Sequence, residues 1–397
     1  MSDLKFFNFN LFIALCLLAL VPAAYQTIRT FLISTTASTA SLDVIGQMEW
    51  FDLIDETLLA FLIIPLYSIL NKIFAQHQET FSASVFKVGV ISFLLYLLFS
   101  IVVFIYGTHL VQLMNPADID INLVSAYLRL ETIAFVIGFI NRFVNVVFVV
   151  VGKSKNVYIF LIANALLSIL SDFVLIPAFD VMGVAYSNIL INSILAIVGI
   201  TLLSVQKYIK ISKFTKNDLT TFKEWAKVGV FSGAQQFIDN IIYAVMIGRM
   251  VNMVAEQGNY WVANNFIWGW LLIPVSALTE IIRRDCNGGY HELKQSNYYI
   301  ISAFIVLLWS VTIPLWQLFY RYAEGLENYQ EIFYITLKLF PFYIAYALSV
   351  IPDNVFIGLG NTKYNMINSI VMNFGYYGFF FILYITGALI MSLNVIN

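Results

Sequence analysis

The chain has 397 residues, of which 60% are hydrophobic and 11% are charged, and its mean hydropathy is +0.84. A soluble domain carries about 25% charged residues, so these values argue against a soluble enzyme, a disordered chain and a nucleic-acid-binding protein. They favour an integral membrane protein with many spans. The two cysteines, Cys16 and Cys286, are too few for a disulfide framework, and we expect free thiols.

Apolar segments follow one another along the whole chain. A helix needs about 20 apolar residues to cross the hydrocarbon of a bilayer. The first run lacks an Ala-x-Ala cleavage site and is too long for a signal peptide, so we interpret it as a span. This length predicts eleven spans, near residues 11–33, 48–71, 86–109, 124–151, 157–178, 183–206, 226–251, 259–282, 297–319, 332–359 and 364–390.

Lysine and arginine predict the orientation of these spans. With the N-terminus in the cytoplasm, only Arg321 falls in an outer link. Fifteen of the 21 basic residues then fall in inner segments: Lys5, Lys72, Lys87, Lys153, Lys155, Lys207, Lys210, Lys213, Lys216, Lys223, Lys227, Arg283, Arg284, Lys294 and Lys363. The sequence therefore predicts a multi-pass protein of a bacterial inner membrane, with a cytoplasmic N-terminus and, because eleven is odd, an outer C-terminus.

The two halves of the chain resemble each other at a nearly constant offset. Gly152-Lys153-Ser154-Lys155 matches Gly360-Asn361-Thr362-Lys363, and Ile63-Ile64-Pro65 matches Leu272-Ile273-Pro274. Arg129 also matches Lys338 in this register. The copies are separated by an even number of spans, so they have the same orientation, as in transporters built of parallel repeats.

The repeat predicts the domain organisation. We expect an N-lobe over 1–206 with spans one to six, a cytoplasmic link over 207–225, and a C-lobe over 226–397 with spans seven to eleven. A counterpart of span six in the second half would fall beyond the last residue, so the twelfth helix is expected to be missing. The fold class predicted is an all-α polytopic membrane protein with two pseudo-symmetric helical lobes.

Several segments resemble the multidrug and toxic compound extrusion (MATE) transporters, within the MOP superfamily. These are the Gly-x-[Ser/Thr]-Lys turns after spans four and ten, Asn141-Arg142-Phe143, the run from Gly229 to Asp239 that opens the second half, and Val262-Ala263-Asn264-Asn265. The resemblance covers nearly the whole chain. It implies two lobes around a central cavity that rock between inward and outward states and exchange a drug for protons or sodium.

The resemblance also implies site residues. Asp239 falls where many members place the acidic residue of span seven, and Asn264 lies in the matching segment of span eight. The acidic residue of span ten would fall near Leu348, but this chain has Asp353 instead. Span one contains Arg29 and no acid, so the mechanism of the branch that uses a span-one acid does not carry over.

Charges inside a membrane mark function or a paired structural role. At 1.5 Å per residue from the inner lysines, Asp239, Asp353 and Arg142 lie about 18, 15 and 20 Å deep, near the midplane. Asp239 could exchange a proton or bind sodium, and Gln235 lies one turn before it on the same face. The alternative for Asp239 is a structural salt bridge to Arg142, and Arg142 could equally be a helix-locking partner.

Span two begins with an acidic stretch. Glu49, Asp52 and Glu56 are spaced i, i+3 and i+7, so they share one face of a helix. They form either an acidic outer mouth that attracts cations or a solvated face of a projecting helix. Both interpretations stay open at the level of sequence.

The predicted function is secondary transport. We expect export of cationic or amphipathic small molecules in exchange for protons or sodium, by a monomer in the lipid bilayer, without a cofactor, resident metal or nucleic-acid partner. The nearest alternative is a flippase for a lipid-linked saccharide, and a third is a non-transporting membrane scaffold or receptor. The chain contains no His-Glu-x-x-His, no Gly-x-Ser-x-Gly and no P-loop, so no enzyme is expected.

Overall fold

The structure is a computed structural model, which describes residues 7–38, 40–76, 78–114, 119–215, 218–242, 256–286, 295–358 and 362–386. Fifteen α-helices occupy these ranges. They are α1 (Phe9–Thr36), α2 (Ser41–Gly46), α3 (Glu49–Leu62), α4 (Ile64–Gln76), α5 (Gln78–Leu113), α6 (Ile121–Val150), α7 (Ser154–Phe179), α8 (Val181–Val205), α9 (Asp218–Ile242), α10 (Gln257–Phe266), α11 (Ile273–Asp285), α12 (Gln295–Leu318), α13 (Tyr329–Gly358), α14 (Thr362–Ile370) and α15 (Gly378–Ile385). Three π-helical turns adjoin them, at Ile267–Leu271, Phe319–Ala323 and Val371–Tyr377.

The helices account for most of the predicted spans. Within the described residues, eight helices are long and apolar enough to cross a membrane, and the bent pair of α10 and α11 is a ninth candidate. The predicted seventh span is described only up to residue 242 and the predicted eleventh only up to 386. The all-α polytopic fold class is confirmed, whereas the number of eleven spans stays a prediction.

Helix ends follow local sequence. The side chain of Asn8 accepts from the Leu11 amide at 3.0 Å and begins α1, and Asp120 caps α6 by accepting from Asn122 at 2.9 Å. Gly152 ends α6 with a φ of 73°, which a residue with a side chain rarely adopts. The first Gly-x-[Ser/Thr]-Lys motif is therefore a helix-terminating turn.

The two Ile-Pro segments of the repeat coincide with helix breaks. The α3 helix ends at Leu62 and α4 begins at Ile64, just before Pro65. In the second half, α11 begins at Ile273, just before Pro274, and the axis bends by 50° at this point. Proline lacks the amide hydrogen that a continuous helix requires, so both breaks follow from the sequence.

Contacts between Cα atoms divide the chain into two compact units. One consists of Met1–Gly46 and Glu256–Asn397, and the other of Gln47–Ala255. We call them the terminal unit and the central unit. The units do not coincide with the sequence halves, and the lobe boundaries at 206 and 226 stay a prediction about the repeat.

Each unit has its own apolar interior. The central unit is packed around fully buried side chains such as Leu66, Leu70 and Phe148. Large apolar side chains on α5, among them Leu98 and Ile105, remain exposed, as expected for a helix that faces lipid. Polar groups inside this unit must therefore find partners within the protein.

Candidate functional site

The charged centre of the central unit is the carboxylate of Asp55, on α3. Its side chain is 4% exposed, and Arg142 Nη1, on α6, donates to Oδ2 at 2.5 Å. The hydroxyl of Tyr96, on α5, donates to Oδ1. Because an unpaired buried charge is strongly destabilising, these two donors are what allows a carboxylate at this position. The cluster connects three spans.

A second polar contact connects α3 to α9. Asn240 Nδ2 donates to the Leu53 carbonyl at 2.9 Å and to Thr57 Oγ1 at 3.3 Å, and lies 3.5 Å from Glu56 Oε2. Its Oδ1 accepts from Gln236 Nε2 at 3.0 Å. Asn240 is 7% exposed, so its amide is both buried and fully hydrogen-bonded. It brings a neutral donor to the carboxylate of Glu56.

Two glycines allow α9 to approach α3 closely enough for this contact. A Cβ atom on Gly233 would lie 2.2 Å from Cγ of Phe61, and one on Gly229 would lie 2.4 Å from the Phe61 carbonyl oxygen. No side chain fits at such distances. The spacing of four residues is the small-xxx-small pattern of closely packed membrane helices. The segment that carried the family resemblance is therefore a helix-crossing surface.

A cavity of about 520 Å³ lies between α3, α5 and α9. It is open on one side, and its walls are almost entirely apolar. The residues that line it are Trp50, Leu53, Ile54, Thr57, Leu58, Phe61, Phe99, Leu110, Leu113, Met114, Phe237 and Asn240. Concave apolar sites with a few polar groups are typical of small-molecule binding. Here the polar edge is the Asn240 amide, which contacts Glu56.

The predicted acidic mouth lies on α3. Asp52 and Glu56 are exposed and Glu49 is half-buried. Asp55, the fourth acid of this stretch, faces away from that stripe into the Arg142 and Tyr96 cluster. The structure thus pairs the Asp55 carboxylate and leaves those of Glu49, Asp52 and Glu56 at least partly accessible. Of these three, Glu56 contacts Asn240, which lines the cavity.

Asp239 and Gln235 lie on α9, in the same unit. Asp239 is half-buried and directly precedes Asn240, while for Gln235 only the backbone is described. The carboxylate that Arg142 binds is that of Asp55, and the alternative pairing of Arg142 with Asp239 stays a prediction. The proposed coupling role of Asp239, with or without sodium, stays a prediction.

Asp353 and Asn264 belong to the terminal unit. Asn264, on α10, is buried, and its Oδ1 accepts from the Tyr343 hydroxyl at 3.2 Å, which in turn accepts from Trp268 Nε1 at 3.1 Å. Asp353, on α13, is half-buried. The predicted residues therefore fall into two groups, one in each unit, and their roles stay predictions.

Asp55 and Tyr96 were not predicted as site residues. The helical period offered a signal, because Asp55 is neither three nor four residues from Glu49 or Glu56 and so lies to one side of their stripe. Asn240 follows Asp239 directly and was equally missed. Among the described residues, no group of three or more His, Cys, Asp or Glu side chains could hold a metal ion.

Comparison with known proteins establishes the fold. No protein-family model matches the chain, and no curated protein matches it. An inward-facing multidrug resistance MATE transporter of the MOP superfamily is similar with a TM-score of 0.71 and 17% identity, over 88% of this chain and 84% of that one. A MOP superfamily transporter from Pyrococcus furiosus is similar with a TM-score of 0.68 and 17% identity, over 94% and 88%.

A third similar structure is that of a mutant of VcmN, a MATE transporter from Vibrio cholerae. Its TM-score is 0.69 at 13% identity, and the match covers 93% of this chain and 87% of that one. These identities are too low to carry residue roles from one protein to another, but the matches extend over nearly the whole chain. The chain therefore has the all-α polytopic fold of the MATE transporters of the MOP superfamily.

Proposed function

We propose that the chain is a secondary active transporter, which exports amphipathic or cationic small molecules in exchange for protons or sodium by alternating access. The observation that carries the proposal is the apolar cavity beside α3, whose single polar edge leads to the carboxylate of Glu56. The fold of the MATE transporters supports the same function.

The cavity suits a ligand with an apolar body and a positive charge. The rings of Trp50, Phe61, Phe99 and Phe237 form part of its wall, and aromatic faces attract organic cations. Glu56 supplies a negative charge next to the lining amide of Asn240. A cationic amphiphile would place its rings against the apolar wall and its charge toward Glu56.

A flippase for a pyrophosphate-linked saccharide needs accessible cationic side chains around its substrate. In the central unit, the guanidinium of Arg142 is bound to Asp55. The positive charge of Arg142 is thus already neutralised, whereas the carboxylates of Asp52 and Glu56 are exposed. This distribution of charge favours cationic cargo over an anionic headgroup.

Coupling is assigned to Asp239. It directly precedes Asn240 on α9, the helix that contacts Glu56 through that amide. A carboxylate there can carry a proton, or bind sodium together with amide and carbonyl oxygens, in one of the two states of the cycle. Release of the ion and binding of the cation would then alternate, which produces exchange.

The test is flux in proteoliposomes with imposed proton or sodium gradients and a panel of organic cations. We expect gradient-driven accumulation of at least one amphipathic cation. Accumulation of none of them, together with movement of a lipid-linked saccharide between leaflets, would replace this proposal by the flippase. Binding without flux under any gradient would support a receptor.

Two acids on α3 provide a matched pair of variants. Glu56→Gln removes the charge next to the cavity, whereas Asp52→Asn removes an exposed charge of the same helix whose position is off the cavity wall. We expect Glu56→Gln to raise the KM for cationic cargo about tenfold, equal to about 1.4 kcal/mol, with little change for Asp52→Asn. Equal effects, or none from either, would contradict the cavity assignment. Asp239→Asn should retain cargo binding and lose its gradient dependence.

A further inference from the structure

Glu324 is a buried acid that the transport proposal does not use. It lies in the connection between the π-helical turn Phe319–Ala323 and α13, outside the spans. Its side chain is 2% exposed, and its Oε2 has no hydrogen-bond partner among the described residues. Acidic residues in connections are ordinarily exposed and solvated, so this burial is unusual.

The connection packs closely on the end of α1, within the terminal unit. Ser34 Oγ donates to the Glu324 carbonyl at 2.5 Å. Gly325 follows with a φ of 67°, and a Cβ atom there would lie 2.8 Å from Cγ2 of Thr35 and 3.0 Å from the ring of Phe31. Only glycine satisfies both the backbone conformation and the contact. The next residue, Leu326, is 3% exposed.

Among the described residues, the charged and titratable groups around Glu324 do not neutralise it. Tyr320 is fully buried and shares a hydrogen bond with Thr336 at 2.6 Å. The one charged residue of α1 is Arg29, whose guanidinium lies over the ring of Tyr25. The remaining groups of this region point elsewhere: Arg321 lies over Tyr322 and Tyr329, Glu327 is exposed, and Glu331 is exposed beside Asn259.

Burial without a compensating donor raises the pKa of the Glu324 carboxyl well above its usual value. An ionised carboxylate at this position would be shielded from bulk water and would have no cation beside it among the described residues, which is the costly case for a buried charge. The neutral acid is therefore the form compatible with the packed connection.

We propose that Glu324 is a proton-binding group that holds residues 324–326 against α1 while protonated and releases them when it ionises. The topology predicted from lysine and arginine places this connection on the outer side, so the proton comes from the outer solution. The proposal concerns the terminal unit alone and stands whether or not the chain transports cations.

The direction of the pH dependence follows from linkage. A glutamate in the released connection titrates near its ordinary pKa of about 4.3. Docking is unaffected by pH below that value. Above that value, the ratio of docked to released connection falls by up to about tenfold per pH unit. The fall ends when the pH reaches the pKa of the docked carboxyl. Alkaline conditions thus favour release.

Hydrogen exchange on the full chain in lipid nanodiscs measures this equilibrium. The Glu324 amide donates to the Phe319 carbonyl and the Leu326 amide to that of Tyr320, both at 3.1 Å, so both report on the connection. We expect their protection factors, corrected for intrinsic exchange, to fall by up to about tenfold per pH unit as the pH rises above about 5. Amides in the middle of α12 should not change.

Three variants decide the origin of the effect. Glu324→Gln keeps the shape of the side chain but cannot ionise, and Glu324→Leu fills a similar volume without a polar atom. In both variants, the protection of the two amides should be constant with pH. Glu327→Gln, an exposed acid of the same connection, should behave like the wild type. Constant protection in the wild type would overturn the proposal, as would an unchanged pH dependence in both Glu324 variants.

Discussion

The ion pair between Asp55 and Arg142 predicts an asymmetric response to mutation. The two partners differ in exposure: the Asp55 side chain is 4% exposed, whereas that of Arg142 is 42% exposed. Removal of either partner leaves the other without its counter-charge. The loss of unfolding free energy is larger when the remaining charged group is more deeply buried. It should therefore be larger when the Asp55 carboxylate is left unpaired.

The magnitudes follow from the contacts. Arg142→Met leaves Asp55 buried with only the Tyr96 hydroxyl as a donor, and breaking a buried pair in this way costs about 3–5 kcal/mol. Asp55→Asn leaves a guanidinium whose side chain is 42% exposed rather than buried, and the amide oxygen still accepts one hydrogen bond. The loss is then about 1–2 kcal/mol, the value for weakened hydrogen bonds. The double variant Arg142→Met with Asp55→Leu should lie near the wild type.

The assay is the free energy of unfolding in mixed detergent micelles titrated with SDS. Arg129→Met serves as a control on the same helix, because Arg129 donates to the Phe104 carbonyl at 3.3 Å and to Thr108 Oγ1 at 3.2 Å, both neutral acceptors. It should lose about 1 kcal/mol. The reasoning is refuted if Asp55→Asn is as destabilising as Arg142→Met, or if the double variant is less stable than both single ones.

Two further predictions concern the central unit. Gly233→Ala should destabilise it by about 1–3 kcal/mol, because the added Cβ would overlap the ring of Phe61, whereas Gly269→Ala, whose Cβ would be 4.0 Å from its nearest neighbour, should be tolerated in the same SDS titration. Burial opposes ionisation of Asp218, but the two hydrogen bonds from Lys87 at 2.8 and 2.9 Å, together with those from the Thr215 amide and hydroxyl, outweigh it and lower the pKa of that carboxyl. A lowered pKa stabilises the fold above the ordinary value of about 3.9, and this contribution is lost as the pH falls through the lowered pKa. Asp218→Asn should therefore cost about 1 kcal/mol at neutral pH and nothing in strong acid, and a loss that is independent of pH would contradict the assignment.

The long helices followed from segment length. The apolar runs predicted them because a bilayer requires a minimum length, and this signal depends only on residues close in sequence. The breaks before Pro65 and Pro274 were not predicted, since both segments were interpreted as continuous spans, although proline cannot complete a helical hydrogen bond.

The partners of the charged residues could not be predicted in the same way. Counting residues from the inner lysines gives the depth of Arg142 but not the direction in which it points around its helix axis. The sequence analysis considered Asp239 as a partner of Arg142, whereas the structure brings Asp55, on α3, to the guanidinium on α6. The burial of Glu324 could not be predicted for a similar reason, since it depends on the contact of Gly325 with α1, which is distant in sequence.

The assignment of helices to the two units has a consequence for how such a chain can be assembled from fragments. In the register predicted from the sequence repeat, α1 and α9 are corresponding helices of the two halves. Yet α1 belongs to the terminal unit, where Thr27 accepts from Trp270 at 2.9 Å, and α9 belongs to the central unit with α3. The halves have thus exchanged their first helices, as protomers do in a domain-swapped dimer. A fragment cut at the central link would lack the helix that completes its unit, so both fragments would have to be synthesised together to become stable.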